Sequence, residues 1–311
     1  MTVPLFKIIK PGLQTTVQDL GRTGYQQYGI SPSGAMDTYS LRMANLLVGN
    51  PPGEAGLEAT MLGPGLEALG DVSIAICGGD LQPKVENKEV PMWKNFVLKK
   101  GETLTFGNVK SGARAYIGVA GGIDVPLVLG SKSTFINGRL GGFQGRALEA
   151  GDLLYGTPFV RRNRFLHKDL IPSYRKQLEI RVILGPHLDK FPQKTLNQFL
   201  DSEYTISSQS NRMGYRLEGA RLETMAGSDI ISDAIPLGGI QVPSNGQPII
   251  LLSERQTTGG YARIATVISV DIPLLAQSLP RTKIRFKEIT IEEAQKEYQK
   301  QKRLFKFLFT N

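Results

Sequence analysis

Apolar residues come along this chain in short bursts. "VSIAICGGD" (72–80), "ARAYIGVAGG" (113–122), "LEIRVILGP" (178–186), "QPIILLSE" (247–254) and "ARIATVISVD" (262–271) are rich in β-branched residues and end at Gly, Pro, Asn or Asp. Short apolar runs bounded by turn residues predict strands joined by tight turns, as in a sandwich or barrel. The fold class expected is therefore mainly β. Three stretches carry a helical period instead. From Asp37 to Val48, Tyr39, Met43 and Leu47 recur every four residues and Gly49 supplies a stop. Near Pro192 to Leu200, Leu196, Phe199 and Leu200 share a face. A third helix starts at Thr290, where Thr290-x-x-Glu293 is a capping box and Glu292 and Lys296 stand four apart.

The pattern changes at "RRNRFLHKDLIPSYRKQ" (161–177), which is basic, polar and nearly free of glycine. Just before it, "RALEAGDLLYGTP" reads as a closing turn and strand. The expected division is 1–165, 166–290 and a basic C-terminal helix or tail, 291–311. "GGIDVP" (121–126) recurs as "GGIQVP" (238–243), an echo that suggests two related β domains.

Composition narrows the chemistry. With 41% apolar residues, 35 glycines and 18 prolines in 311 residues, this is a turn-rich globular chain. The net charge of +9 favours anionic ligands or an acidic partner without singling out nucleic acid. Lys296, Lys300, Lys302, Arg303 and Lys306 concentrate part of it on what reads as a solvated helix face. Cys77 is the only cysteine, which excludes an intrachain disulfide and a cysteine zinc site, and its apolar setting makes it a small buried residue. The N-terminus lacks a secretory h-region and no stretch has a membrane span's run of apolar residues, so a cytoplasmic location is expected. "VPLVLGSKST" (125–134) imitates a P-loop ending but has Val125 and Ser131 where glycines are required, and Pro126 and the following "FINGRLGG" argue against the strand–helix context. Two histidines, His167 and His187, exclude a three-histidine metal site.

Three stretches hold polar residues worth following. In "GISPSGAMDTYSLRMAN" (29–45), Ser33 or Asp37 caps a helix, or the positive helix end faces an anion. "SNRMGYRLEG" (210–219) carries Arg212 and Arg216, whose forks suit carboxylate or phosphate, with surface ion pairs the default expectation. "SERQTTGGYAR" (253–263) sits between two apolar runs. A hairpin is expected there, with Gly259 and Gly260 at positive φ and with Glu254, Gln256 and Thr258 on one face, Arg255 and Thr257 on the other. Such a row of acceptors and donors suits an amide or ureido group. His187, just past a predicted strand, would exchange protons with a ligand if it faced that loop.

Taken in order, "GISPSGAMDTYSLRMANLLVGN", "VAGGIDVPLVLGSKSTF", "GGFQGRALEAGDLL", "SNRMGYRLEG", "GGIQVPSNGQPIIL" and "ERQTTGGYARIATVISVDIPLLAQ" resemble the biotin-dependent carboxyltransferase family, over roughly residues 12 to 280. That family contains allophanate hydrolase subunit 2, the KipI antagonist KipA and the C subunit of 5-oxoprolinase. The resemblance implies two cyclophilin-like β-barrel domains. It implies a hetero-oligomer in which a KipI-like B subunit and a third, LamB/YcsF-like subunit join this chain to open 5-oxoproline to glutamate with ATP. It also implies two alternatives: carboxyl transfer to a urea-like substrate from carboxybiotin supplied by another chain, or a regulatory KipI antagonist without catalysis. In the urea carboxylase relatives an asparagine, a histidine and an acid line the site, and by motif position these fall on Asn45, His187 and Glu254. Around them, Ser33, Asp37, Arg212, Gln256, Thr257, Thr258 and Gly259 are the expected substrate contacts, with Arg212 holding the substrate carboxylate. Family members commonly have Asp where Glu254 stands and Pro where Ala262 stands. Glu254→Gln is expected to abolish turnover and leave the fold intact.

Overall fold

The computed structural model describes residues 2–161, 163–225 and 229–310. The chain forms two compact units, Met1–Thr23 with Ser33–Tyr174, and Gly24–Pro32 with Arg175–Asn311. The boundary at Tyr174 lies inside the polar stretch 161–177, whereas the crossing of Gly24–Pro32 into the second unit has no counterpart in the sequence pattern.

In the first unit the strands form two sheets, one of six and one of five. Leu5, Phe6, Ile8, Leu66, Leu104 and Leu154 of the first sheet and Val17, Leu57, Ile74, Ile76, Ile117 and Val119 of the second make one core. At about 1.5–3 kcal/mol for each fully buried large aliphatic side chain, this face is what the alternating residues of the strands secure. Val72–Asp80 is instead apolar on both faces, because helix α1 (Thr38–Val48) covers the outer side of the five-stranded sheet. A Cβ on Gly118 would come within 2.8 Å of the Ala44 backbone, so glycine there lets helix and sheet approach closely. Cys77 lies in this layer, fully buried, and burial pushes its thiol well above the ordinary range.

The second unit is a closed barrel of seven strands in the order Gln177–Leu184, Arg263–Val267, Gly239–Gln241, Ile249–Leu251, Gly214–Glu218, Glu203–Ile206, Lys283–Glu288. Helix α2 (Gln193–Asp201) buries Phe199 onto Phe286, with ring centroids 4.5 Å apart, a contact worth about 1 kcal/mol beyond its area. Helix α3 (Ile272–Ala276) follows Asp271, whose carboxylate holds Arg181 at 2.7 Å. Helix α4 (Ile291–Thr310) opens with the expected capping box: Thr290 N donates to Glu293 at 2.9 Å and Glu293 N to Thr290 Oγ1 at 3.2 Å.

The pattern thus yields a mainly β chain with one closed barrel, while the strands described in the first unit form two sheets rather than a second closed barrel. The sequence echo repeats a turn: Gly121 and Gly238 both lie in a turn at positive φ, and Gly122 N and Gly239 N each donate to the carbonyl three residues back. The surroundings differ, since the first copy follows strand Ser111–Val119 whereas Gly239 of the second opens Gly239–Gln241.

Candidate functional site

The strands Gly214–Glu218 and Ile249–Leu251 pair antiparallel, and their ladder continues past the end of the second strand. Leu252 N donates to Met213 O and Glu254 N to Arg212 O, each at 2.9 Å. That register sets Arg212 opposite Glu254, and their side chains form an ion pair at 2.7 Å with each 4% exposed. The two candidates answer each other: Arg212 Nε donates to Glu254 rather than to an incoming carboxylate. Ser31, from the segment that crosses over, donates its hydroxyl to Ser253 O at 3.1 Å.

The expected hairpin does not form. Ile249–Leu251 and Arg263–Val267 are separated in the barrel by Gly239–Gln241. Between them the chain turns at Ser253–Glu254, so strict side-to-side alternation fails and Glu254 and Arg255 are both buried. Arg255 Nε donates to Ile235 O at 2.9 Å, and burial pulls its guanidinium down to about 10. Thr257 O then accepts from Ile235 N, and Thr258–Tyr261 pairs with Asp229–Ala234 as a separate ribbon. Gly259 and Gly260 are not at positive φ. Gly259 answers to crowding instead: a Cβ there would lie 2.7 Å from Ile235 Cδ1 and 2.8 Å from Gln241 Nε2.

His187 caps the 3-10 helix Leu188–Lys190 and is fastened to the start of the Arg263–Val267 strand. Its Nδ1 accepts from Arg263 N at 3.1 Å, so the neutral ring carries its proton on Nε2. Among the described residues it shares no hydrogen bond with Glu254. His167 is exposed, as expected for a linker residue.

The remaining candidates lie in the first unit. Asp37 is the N-cap of α1, accepting from Ser40 N at 2.9 Å and Ser40 Oγ at 2.6 Å. Ser33 donates its hydroxyl to Thr134 O. Asn45 is fully buried, with Nδ2 donating to Glu54 O at 2.7 Å and Oδ1 accepting from Asn50 at 3.3 Å. The P-loop imitation is used up in the same way: Ser131 and Ser133 donate to Asp19, and Lys132 pairs with Glu54 at 2.8 Å. A cavity of about 520 Å³ in this unit, between Trp93, Tyr174, Asp80 and Lys110, includes none of the candidates.

Gln256 does open into a cavity. A half-open pocket of about 220 Å³ lies on the second unit above Gly214, Ile249 and Leu251, beside Met213 and Tyr261, lined also by the carboxamide residues Gln209, Asn211, Gln241 and Gln256 and by Arg216. Gln241 is held by its bond to Tyr261 O at 3.3 Å. Among the described residues Arg216 has no carboxylate partner. Apolar walls with a few convergent donors and acceptors suit a small ligand that has both amide and anionic groups. Of these residues Arg216 was visible beside Arg212 in the sequence, whereas Gln209, Asn211, Gln241 and Tyr261 gave no local signal. No cluster of metal-ligating side chains exists among the described residues.

The profile of the carboxyltransferase domain, subdomain A and B, matches residues 28–288. The chain belongs to that carboxyltransferase family. It is 41% identical to the C subunit of 5-oxoprolinase from Escherichia coli (strain K12), over 98% of this chain and 97% of that one. It is 34% identical to urea amidolyase of Saccharomyces cerevisiae, over 93% of this chain but only 17% of the relative. Among solved structures, the urea amidolyase of K. lactis superposes on it with a TM-score of 0.92 at 32% identity, covering 98% of this chain and 20% of that one. This carboxyltransferase chain therefore spans a fifth or less of these two urea amidolyases. No helix described is long and apolar enough to cross a membrane.

Proposed function

We propose that this chain is the C subunit of a cytoplasmic 5-oxoprolinase complex. Together with a KipI-like B subunit and a LamB/YcsF-like third subunit, it would convert 5-oxo-L-proline to L-glutamate with ATP. One observation carries the reading: the chain matches the E. coli C subunit from end to end, whereas it matches the urea enzymes only as a fragment. The cavity chemistry supports it. 5-Oxoproline presents a lactam N–H, a lactam C=O and one carboxylate, and the carboxamides of Gln241, Gln256 and Asn211 with the Arg216 cation offer the complementary set. ATP would be held with the partner subunits, since the one phosphate-loop imitation of this chain is spent on Asp19 and Glu54.

In this reading Arg216 takes the carboxylate and Gln256 the lactam amide. Glu254, kept in place by Arg212, and His187 are the acid–base groups proposed by motif position, although neither lines that cavity. Asn45, Asp37 and Ser33 hold the first unit together through the bonds described above.

The test is reconstitution of this chain with the two other subunits and measurement of glutamate formed from 5-oxoproline with ATP. Arg216→Met should raise KM by about 10- to 100-fold with kcat little changed, the loss of one charge-assisted contact. A variant with unaltered KM would remove Arg216 from the site. The likeness to the K. lactis urea amidolyase supports a second reading, carboxyl transfer from carboxybiotin carried by another chain. Carboxylation of urea by this chain, with no turnover of 5-oxoproline in the reconstituted complex, would favour that one.

A further inference from the structure

The half-open cavity of about 520 Å³ in the first unit is lined by none of the residues given a role above, yet its volume is that of a small-molecule site. It opens where strand Val72–Asp80 ends beside the start of strand Ser111–Val119, whose register slips between Ser111 and Ala115. Met92, Trp93, Pro172 and Tyr174 give it apolar and aromatic walls. Those walls are fastened. Trp93 N donates to Ile76 O at 2.8 Å, and Trp93 O accepts from Leu166 N at 2.9 Å. Tyr39 of α1 donates its hydroxyl to Leu170 O at 2.6 Å, just before the segment that carries Pro172 and Tyr174. Trp93 and Gln82 both line the cavity at positive φ, 58° and 53°, which such side chains adopt only where their surroundings impose it.

The polar groups of the lining set the charge of the ligand. The Tyr174 hydroxyl lies 3.4 Å from Ser40 Oγ, whose single proton goes to Asp37 at 2.6 Å. The phenol therefore donates to Ser40, and its own lone pairs remain as acceptors. Burial, with Asp37 nearby, pushes the acidity of Tyr174 far up, so the hydroxyl keeps its proton. Asp80 accepts from Gln82 N at 2.9 Å and stands 3.5 Å from Lys110 Nζ. Glu89 is exposed and has no ion pair among the described residues; Lys84, its cross-strand neighbour, does not line the cavity. Two carboxylates against one ammonium, beside the faces of an indole and a phenol, favour a cation over an anion. This reverses locally the preference for anions that a net charge of +9 suggests.

We propose that this cavity binds a small organic cation, a primary ammonium carried on an apolar or aromatic body. The ammonium goes to Asp80 and Glu89, and the body to Met92, Trp93 and Tyr174. A space of this size takes a whole small molecule, whereas the tip of a lysine from another polypeptide would fill only a fraction of it.

Trp93 is the only tryptophan of the chain, so tryptophan fluorescence of the full-length protein reads this cavity directly. Phenethylammonium should change the signal saturably, with a Kd of about 0.1–1 mM for a ligand of this size. Phenethyl alcohol and hydrocinnamate, its neutral and anionic counterparts, should bind about 10-fold more weakly or less. Glu89→Lys and Asp80→Asn should each weaken the amine by about 10-fold, and Lys110→Met should tighten it by removing the competing cation. Asn at position 80 keeps an oxygen for Gln82 N, Glu89 and Lys110 are exposed, and circular dichroism checks that each variant folds. The peptide acetyl-Gly-Lys-Gly-amide, which offers the same ammonium on a chain, should bind more weakly than the free amine. No saturable response to the amine, an alcohol or carboxylate that binds as tightly, or a Glu89→Lys protein with unaltered Kd overturns the proposal. So does weaker amine binding by Lys110→Met, or tighter binding of the peptide, which would give the cavity to a polypeptide partner.

Discussion

Glu254 and Arg212 are separated by 42 positions, and nothing local in either segment announces that they meet. The polar block around Glu254 stands out in the sequence. Its partner does not, because the pairing depends on which strands become neighbours in the barrel. The structure changes what a substitution there reports. With both side chains 4% exposed, Glu254→Gln takes a carboxylate away from a buried guanidinium, and a stability loss is the expected outcome. The expected loss is about 3 kcal/mol of unfolding free energy, the range found when one partner of a buried pair is removed. Arg212→Met in the same background should recover most of it, since two neutral groups of similar size avoid the uncompensated charge. Urea denaturation of the two variants measures this, and a Glu254→Gln protein as stable as the wild type would show the pair to be energetically idle. Activity assays at this position need that stability measurement beside them before a catalytic role is inferred.

Elements whose signals are local came out of the sequence well. The capping box at Thr290, the Asp37 cap and the left-handed Gly49 that stops α1 each need only neighbours within one helical turn. The hairpin expected at Ser253–Arg263 failed because strand order is a non-local property: Gly239–Gln241 inserts between the two arms, and Gly259 serves close packing rather than turn geometry. A tight turn that did form as read, "RALEAGDLL", is closed by Arg146, which binds Asp152 through both guanidinium nitrogens at 2.7 and 2.8 Å. This bond holds the Asp152 carboxyl below the ordinary carboxylate range. Because the folded value is the lower one, the stabilisation is complete at neutral pH and is lost as pH falls below about 4. Asp152→Asn should therefore cost about 1 kcal/mol at pH 7, partly exposed as the pair is, and clearly less at pH 3, where protonation of the unfolded chain has begun to cancel it. Thermal melts of wild type and variant at the two pH values give the comparison, and an equal deficit at both would mean that the carboxylate charge is not what closes the turn.

The chain as a whole is not a string of two independent pieces. Its second unit, assembled from Arg175–Asn311, borrows Gly24–Pro32 from the far end of the sequence. That segment is a short 3-10 turn, Gln26–Tyr28, stopped by Gly29 in the left-handed region, and it delivers Ser31 to the carbonyl of Ser253, the residue before Glu254. In sequence it reads as a loop, because a turn with polar residues gives no sign of where it docks. Its placement makes a demand on any fragment: residues 175–311 alone lack part of their own unit. The isolated fragment should melt at lower temperature than the same fragment with residues 24–32 joined to it by a flexible Gly/Ser linker. A buried hydrogen bond contributes about 1 kcal/mol, which at this size corresponds to about 3 °C, and the packing of the segment adds to it. Ser31→Ala in the joined fragment should remove only the hydrogen-bond share of the gain. If the joined and bare fragments melt together, the segment is a passenger on the barrel, and the geometry around Glu254 is set by Arg212 and the strand ladder alone.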